Sequence, residues 1–263
     1  MLSTRYVRGS LNWIDLGTPE TDAAAAFYNG LFGWNFQSAG PDAGGYGMFQ
    51  VDGKTAAGVM AVEPDQVPPA FMLYFQSPDA DATAKAVQQG GGSVLFEPMD
   101  VFDLGRMAIF TDPSGVGFGT WQPGQSKGLD VVNDPGSLVW VELYTPDPGA
   151  GVAFYTNVFG WETSTMPLPD GTGEYTMVNP ADQGADAMFG GVVPLAADPG
   201  ETEGPYWLPY FEVEDCDAAV AKTEELGGKI RMAPVEMEGI GRFAKLADPW
   251  GARFAVMKSA PPQ

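Results

Sequence analysis

One pattern is written twice in this chain. Residues 9–36 read GSLNWIDLGTPETDAAAAFYNGLFGWNF, and residues 136–163 read GSLVWVELYTPDPGAGVAFYTNVFGWET. They align without a gap at an offset of 127, with 14 of 28 positions identical. A second match, at an offset of 136, joins GRMAIFTDPSGVGF from Gly105 to GRFAKLADPWGARF from Gly241. The landmarks keep their order, so the chain is a tandem duplication. Its 263 residues suit two domains, 1–124 and 136–263, each long enough for a core. Gln125 to Pro135, polar and rich in Gly and Pro, reads as the linker.

Each half reads as two βαβββ modules. In the first half, Leu11 to Leu16 is a strand, and Thr18-Pro19-Glu20 opens a helix that runs to Gly33. Strands follow at Tyr46 to Val51 and Ala56 to Val62, around the Asp52-Gly53 turn. The second module begins with a strand from Phe71 to Gln76. Asp79 or Asp81 caps its helix, which ends at Gly90-Gly91-Gly92. Strands near Ser93 to Glu97, Arg106 to Thr111 and Gly117 to Trp121 complete it, the last two joined by the turn Asp112-Pro113-Ser114-Gly115. The second half repeats this order, with helices at Asp147 to Phe159 and Asp215 to Leu226. Its extra residues fall in MPLPDGTGE and AADPGETEGP, expected as a rim or lid. The fold class is α+β, with four modules forming two curved sheets with open clefts. The modules pair either first with second and third with fourth, or first with fourth and second with third.

Charge narrows the partners. The net charge is −21, which disfavours nucleic acid and anionic membrane, since both need clustered Lys and Arg. Such a field draws in a cationic small molecule or simply keeps the chain soluble. Histidine is absent, which removes the commonest general base and the commonest transition-metal ligand. Cys216 is the single cysteine, so no intramolecular disulfide forms, and it reads as an inert structural thiol. No apolar run is long enough to span a bilayer. MLSTRYVRGS lacks an apolar signal core, so a cytoplasmic location is expected.

The motifs W-I-D-L-x-T-P-E…A-x-F-Y-x-x-L-F-G-W, the helix ending in Gly-Gly, and G-R-x-A…D-P-x-G together resemble the vicinal oxygen chelate superfamily. That superfamily includes glyoxalase I, extradiol dioxygenases and bleomycin-resistance proteins. Actinobacterial tandem glyoxalase-like proteins are the nearest likeness. The resemblance implies a cleft in each sheet. It places the family's metal-ligand positions at Trp13, Met72 and Gly119, and at Trp140, Leu208 and Ala255. A further position falls near Gly58 to Met60 and Gly190 to Val192. None of these side chains suits a hard or borderline divalent cation, so neither metal nor cofactor is expected.

Strand alternation supplies the neighbours on the same face. In the first half the candidate ligand-binding set is Trp13, Asp15, Met48, Met60, Met72, Tyr74, Gly119 and Trp121, with Phe102 at the rim. In the second it is Trp140, Glu142, Met177, Leu208, Tyr210, Ala255 and Met257. These residues either fill a barrel or line a cleft of Trp, Tyr and Met with one carboxylate. Gly119 and Ala255 are expected to leave room for a ligand. Asp15, Glu142, Tyr74 and Tyr210 are the candidate proton-transfer groups. The expected function is metal-independent binding of a small aromatic or hydrophobic compound, including a cationic one. Such binding serves resistance, sequestration or an accessory step in antibiotic or polyketide biosynthesis. The alternatives are a metal-free tailoring enzyme (hydroxylase-like or isomerase) and a metal-dependent glyoxalase or dioxygenase. A monomer with an internal pseudo-dimer is expected.

Overall fold

A computed structural model of the protein describes residues 1–168, 171, 173–198 and 204–261. Within the two loops expected as a rim, 169–170, 172 and 199–203 lie outside the described residues.

The fold is α+β. The first half contributes β1 (Leu11–Thr18), α1 (Thr21–Phe32), β2 (Asn35–Ser38), β3 (Gly47–Val51) and β4 (Lys54–Ala61). It continues with β5 (Ala70–Gln76), α2 (Ala80–Gln89), β6 (Ser93–Val101), β7 (Gly105–Thr111) and β8 (Gly117–Pro123). The second half repeats the order with β9 (Leu138–Thr145), α3 (Pro148–Phe159), β10 (Glu162–Pro167), β11 (Glu174–Asn179) and β12 (Gly190–Pro194). It ends with β13 (Tyr206–Glu212), α4 (Cys216–Glu225), β14 (Lys229–Met237), β15 (Gly241–Ala247) and β16 (Arg253–Ser259). Two open eight-stranded sheets result, ordered β2-β3-β4-β1-β5-β8-β7-β6 and β10-β11-β12-β9-β13-β16-β15-β14.

Local signals explain most element boundaries. Asp79, Asp147 and Asp215 cap α2, α3 and α4, each accepting from the backbone N–H three residues on. Pro148 occupies the first turn of α3, as its fixed φ allows. In α1 the order differs: Glu20 is the N-cap without a side-chain bond, and Pro19 lies outside the helix. The strand after each first helix, β2 and β10, is mostly exposed and carries little hydrophobic alternation. That is why it is hard to see in the sequence.

The compact units do not follow the two halves. One comprises residues 1–13, 72–128 and 141–207; the other comprises 14–71, 129–140 and 208–263. Each sheet is therefore built within one half, while each core draws on both. In the first unit, Phe75 and Phe118 pack on Tyr155, Phe159 and Trp161 from the other half. In the second, Tyr28, Phe32 and Trp34 pack on Phe211 and Phe254.

The repeated motifs bolt these cores. Trp34 Nε1 donates to the Gly136 carbonyl at 2.6 Å, and Trp161 Nε1 donates to the Gly9 carbonyl at 2.7 Å. Thus the FGW tryptophan of each half holds the Gly-Ser that opens the other. Gly9 and Gly136 have φ of +77° and +79°, and a Cβ on either would sit 2.9 Å from a backbone oxygen, Phe159 O or Phe32 O. Only glycine fits there. The tyrosine of each FY pair completes the exchange. Tyr28 donates to Asp248 at 3.1 Å and Tyr155 to Asp112 at 3.3 Å. Asp112 and Asp248 also accept from the backbone of their own DPxG turns. Burial, the largest cause, raises the pKa of Asp248 despite these bonds.

Tyr28, Tyr144 and Tyr155 have pKa values well above the ordinary phenol value, chiefly through burial and then through a neighbouring carboxylate. A phenol whose folded pKa exceeds its unfolded one stabilises fully below about pH 10, and that contribution is lost as pH rises further. The thermal midpoint is expected to fall above about pH 10. Phenolate absorbance should show these three of nine tyrosines ionising only as the fold melts. Smooth titration of all nine in the folded state would contradict this.

Candidate functional site

Two kinds of surface lie on the sheet faces opposite the fully buried cores. The first is an apolar strip in the first unit, on β5, β8, β7 and β6. Register sets its rows. Tyr74 pairs with Gly119, Gly119 with Ile109, and Ile109 with Phe96. The next row runs Gln76, Trp121, Met107, Met99. Two irregularities in β6 bring Phe96 and Met99 opposite Ile109 and Met107. Extra residues of this kind re-aim side chains within a ladder. On the reverse face Phe75, Ala108, Phe110 and Phe118 are fully buried.

This strip is accessible. Met72, Met107, Ile109 and Trp121 are half-buried, and Phe96, Met99 and Leu104 are exposed. Phe102, in the turn at φ +50°, is 69% exposed and lies at the rim. Glycines let the larger groups lie close to the sheet. A Cβ at Gly119 would come within 2.2 Å of the Tyr74 ring, and one at Gly105 within 2.4 Å of the Trp121 ring. Gly119 therefore does not leave room for a ligand; Tyr74 uses that space. Trp121 Nε1 donates to Ser126 O at 3.0 Å, which fixes the indole. Gln76 Oε1, beside Trp121 in register, is a buried acceptor without a hydrogen-bond partner.

The second is a carboxylate–tyrosine pair, present once in each half, with the carboxylates Asp15 and Glu142 buried. In the second unit Tyr46 donates to Asp15 Oδ1 at 2.6 Å. In the first unit Tyr175 donates to Glu142 Oε1 at 2.9 Å and Tyr144 to Glu142 Oε2 at 2.6 Å. Asp15 pairs with Gly58 in register, and Glu142 pairs with Gly191. A Cβ on Gly58 would meet Asp15 Oδ1 at 2.0 Å and Tyr46 Oη at 2.1 Å; one on Gly191 would meet the Tyr175 ring at 2.2 Å. The glycines are thus required by the pairs they carry. Met48 pairs with Gly58, and Met177 with Gly191, beside the respective pairs. Gly58→Ala is expected to cost about 1–3 kcal/mol through overpacking, read as a lowered denaturation midpoint, whereas Gly33→Ala meets no atom within 4 Å and strains only φ.

The other sequence candidates distribute unevenly. Trp13, Trp140, Met48 and Met177 are half-buried, and Met60 is exposed. Leu208, Tyr210, Ala255 and Met257 are buried, and Tyr210 packs edge-on against Phe243. Ala255, like Gly119, opens no space at the surface. Tyr46, Tyr175, Gln76, Met107 and Lys245 escape the sequence reading. The first two carry a usable signal, because Tyr46 with Met48 and Tyr175 with Met177 share an offset of 129. The Gly-Arg pairs serve structure: Arg106 bridges Asp81 and Asp100, and Arg242 pairs with Asp217. Cys216 is buried, and desolvation pushes its thiol up to about 11, unsuited to a nucleophile.

A model of the Glyoxalase/Bleomycin resistance protein/Dioxygenase superfamily matches residues 10–119 and 137–256. The chain belongs to that superfamily. The anthracycline biosynthesis protein DauV of Streptomyces sp. (strain C5) is 39% identical over 270 residues, covering 97% of this chain and 95% of its own. CFP32 of Mycobacterium bovis (strain ATCC BAA-935 / AF2122/97), named only provisionally as a glyoxylase, is 36% identical over 267 residues, covering 99% and 98%. The Mn(II)-bound glyoxalase from Novosphingobium aromaticivorans superposes with a TM-score of 0.65 at 18% identity, over 95% of this chain and 82% of its own. That last likeness concerns the fold alone.

Many superfamily members hold a divalent metal, yet the residues here do not fit one. The positions that would supply ligands carry indole, thioether, alkyl or no side chain. Among the described residues there is no group of three or more His, Cys, Asp or Glu able to hold a metal ion. Asp15 Oδ1 and both carboxylate oxygens of Glu142 accept from tyrosine hydroxyls. Also among the described residues, no helix is long and apolar enough to cross a membrane.

Proposed function

We propose that the protein binds a small planar aromatic compound of the polyketide class without a metal, as a sequestering or accessory protein in antibiotic biosynthesis. The observation that carries this reading is the apolar strip with Met72, Met107, Ile109 and Trp121 half-exposed on a rigid sheet. Flat rings gain about 0.5–1.5 kcal/mol per aromatic contact beyond area burial, and thioethers adapt to irregular outlines. The net charge of −21 favours a cationic ligand. The name of DauV supports an anthracycline-like class. A ligand of about 30 heavy atoms at about 0.3 kcal/mol each reaches roughly micromolar affinity or better.

Titration with daunorubicin, followed by tryptophan fluorescence, tests this. Saturable quenching, weakened in Trp121→Ala, is expected. Linear, non-saturating quenching across a panel of aromatic polyketides would overturn the reading.

A second reading is supported by the Tyr46–Asp15 hydrogen bond. A carboxylate within hydrogen-bond reach of a phenol can move a proton in a metal-free tailoring reaction. Turnover that survives chelator and is lost in Asp15→Asn would favour it over binding alone.

A further inference from the structure

Position by position, the two halves differ in what their open faces offer. Met72, Ile109 and Trp121 of the first half are half-exposed; their counterparts Leu208, Lys245 and Met257 are buried. Lys245 stands opposite Ala255, which itself pairs with Tyr210. It thus sets an ammonium, 4% exposed, into the row that Ile109 completes in the first half. The row that lies open in the first half is therefore closed to a ligand in the second.

We infer that the two halves are not equivalent sites: the first accepts the ligand on its open row, and the second is a closed copy that keeps the architecture. The inference rests on the binding function proposed above and fixes which half performs it, and a stoichiometry of one ligand per chain.

Exchanging residues between the halves tests it. Calorimetric titration of the full chain with daunorubicin is expected to give one site. Ile109→Lys, which writes the second half's residue into the first, is expected to weaken binding at least about tenfold, because a ring would then displace a hydrated ammonium. Lys245→Ile is expected to leave affinity within about twofold, the ordinary scatter for a position away from the contact. Thermal melts identify any variant that fails to fold, and Lys245→Met, which keeps the side-chain length and loses only the charge, stands in if Lys245→Ile does. Two sites per chain, or loss of binding in Lys245→Ile with Ile109→Lys unaffected, would overturn the assignment while leaving the binding function intact. Absence of saturable binding would overturn both.

Discussion

Cut at the linker, each half is expected to lose its folded monomeric state. Each compact unit takes its core from both halves, so an isolated half would expose Phe75 and Phe118, or Phe211 and Phe254, without the rings that cover them. Residues 1–130 and 131–263 made separately should sediment as aggregates or self-paired dimers. Mixing during refolding should restore a one-to-one complex with the melting profile of the intact chain. A cooperative thermal transition from a monomeric half would contradict the interleaved cores. The bolts make the same point within the intact chain. Trp34→Ala and Trp161→Ala each truncate a buried indole and break a hydrogen bond across the halves. About 3–5 kcal/mol apiece is the usual cost. The two sites lie in separate units, so their effects should add. Together they cost about 6–10 kcal/mol, comparable to the whole stability of a typical domain. The double variant is therefore expected to be unfolded at room temperature, and each single variant folded but with a clearly lowered midpoint.

Trp121→Ala is expected to weaken aromatic-ligand binding about thirtyfold, the effect of losing a central aromatic anchor worth about 2 kcal/mol. Three features single it out. It is half-exposed, its indole N–H is already engaged by Ser126 O, and its ring lies over Gly105. The ring is therefore held rigid before a ligand arrives, so little entropy is lost on binding. Trp121→Phe should recover part of the affinity, since a smaller ring keeps a stacking surface. A tryptophan that merely filled space would give the reverse pattern: a stability loss in Trp121→Ala with unchanged affinity.

The sequence makes the architecture legible because the duplication repeats the order of elements and the last turn of each half. Asp79, Asp147 and Asp215 cap helices where spacing places them, and the DPxG turns lie between the last two strands of each half. What sequence leaves open is the pairing of modules. Both arrangements are realised, one in the sheets and the other in the cores. The FGW tryptophans encode that answer, but their acceptors are carbonyls of Gly9 and Gly136, and a backbone acceptor leaves no side-chain signature. The site is less legible for a related reason. Alternation shows which residues share a face, and it finds Trp121 and Asp15. It does not show that Tyr74 lies across Gly119, or that Tyr46, just ahead of β3, and Tyr175 on β11 reach across the intervening β4 and β12 to meet the carboxylates. Lys245 is missed because a single lysine in a strand usually faces water; here it is buried.

Metal-free recognition of an aromatic ligand is the central claim, and one measurement addresses both of its parts. Untagged protein treated with chelator and freed of metal, as verified by elemental analysis, is titrated with daunorubicin by isothermal calorimetry. Binding to one site at roughly micromolar affinity or better, unchanged when manganese, zinc, nickel or iron is added back, is expected. Binding that appears only on restoring a stoichiometric metal ion, or no saturable binding at all, would contradict it.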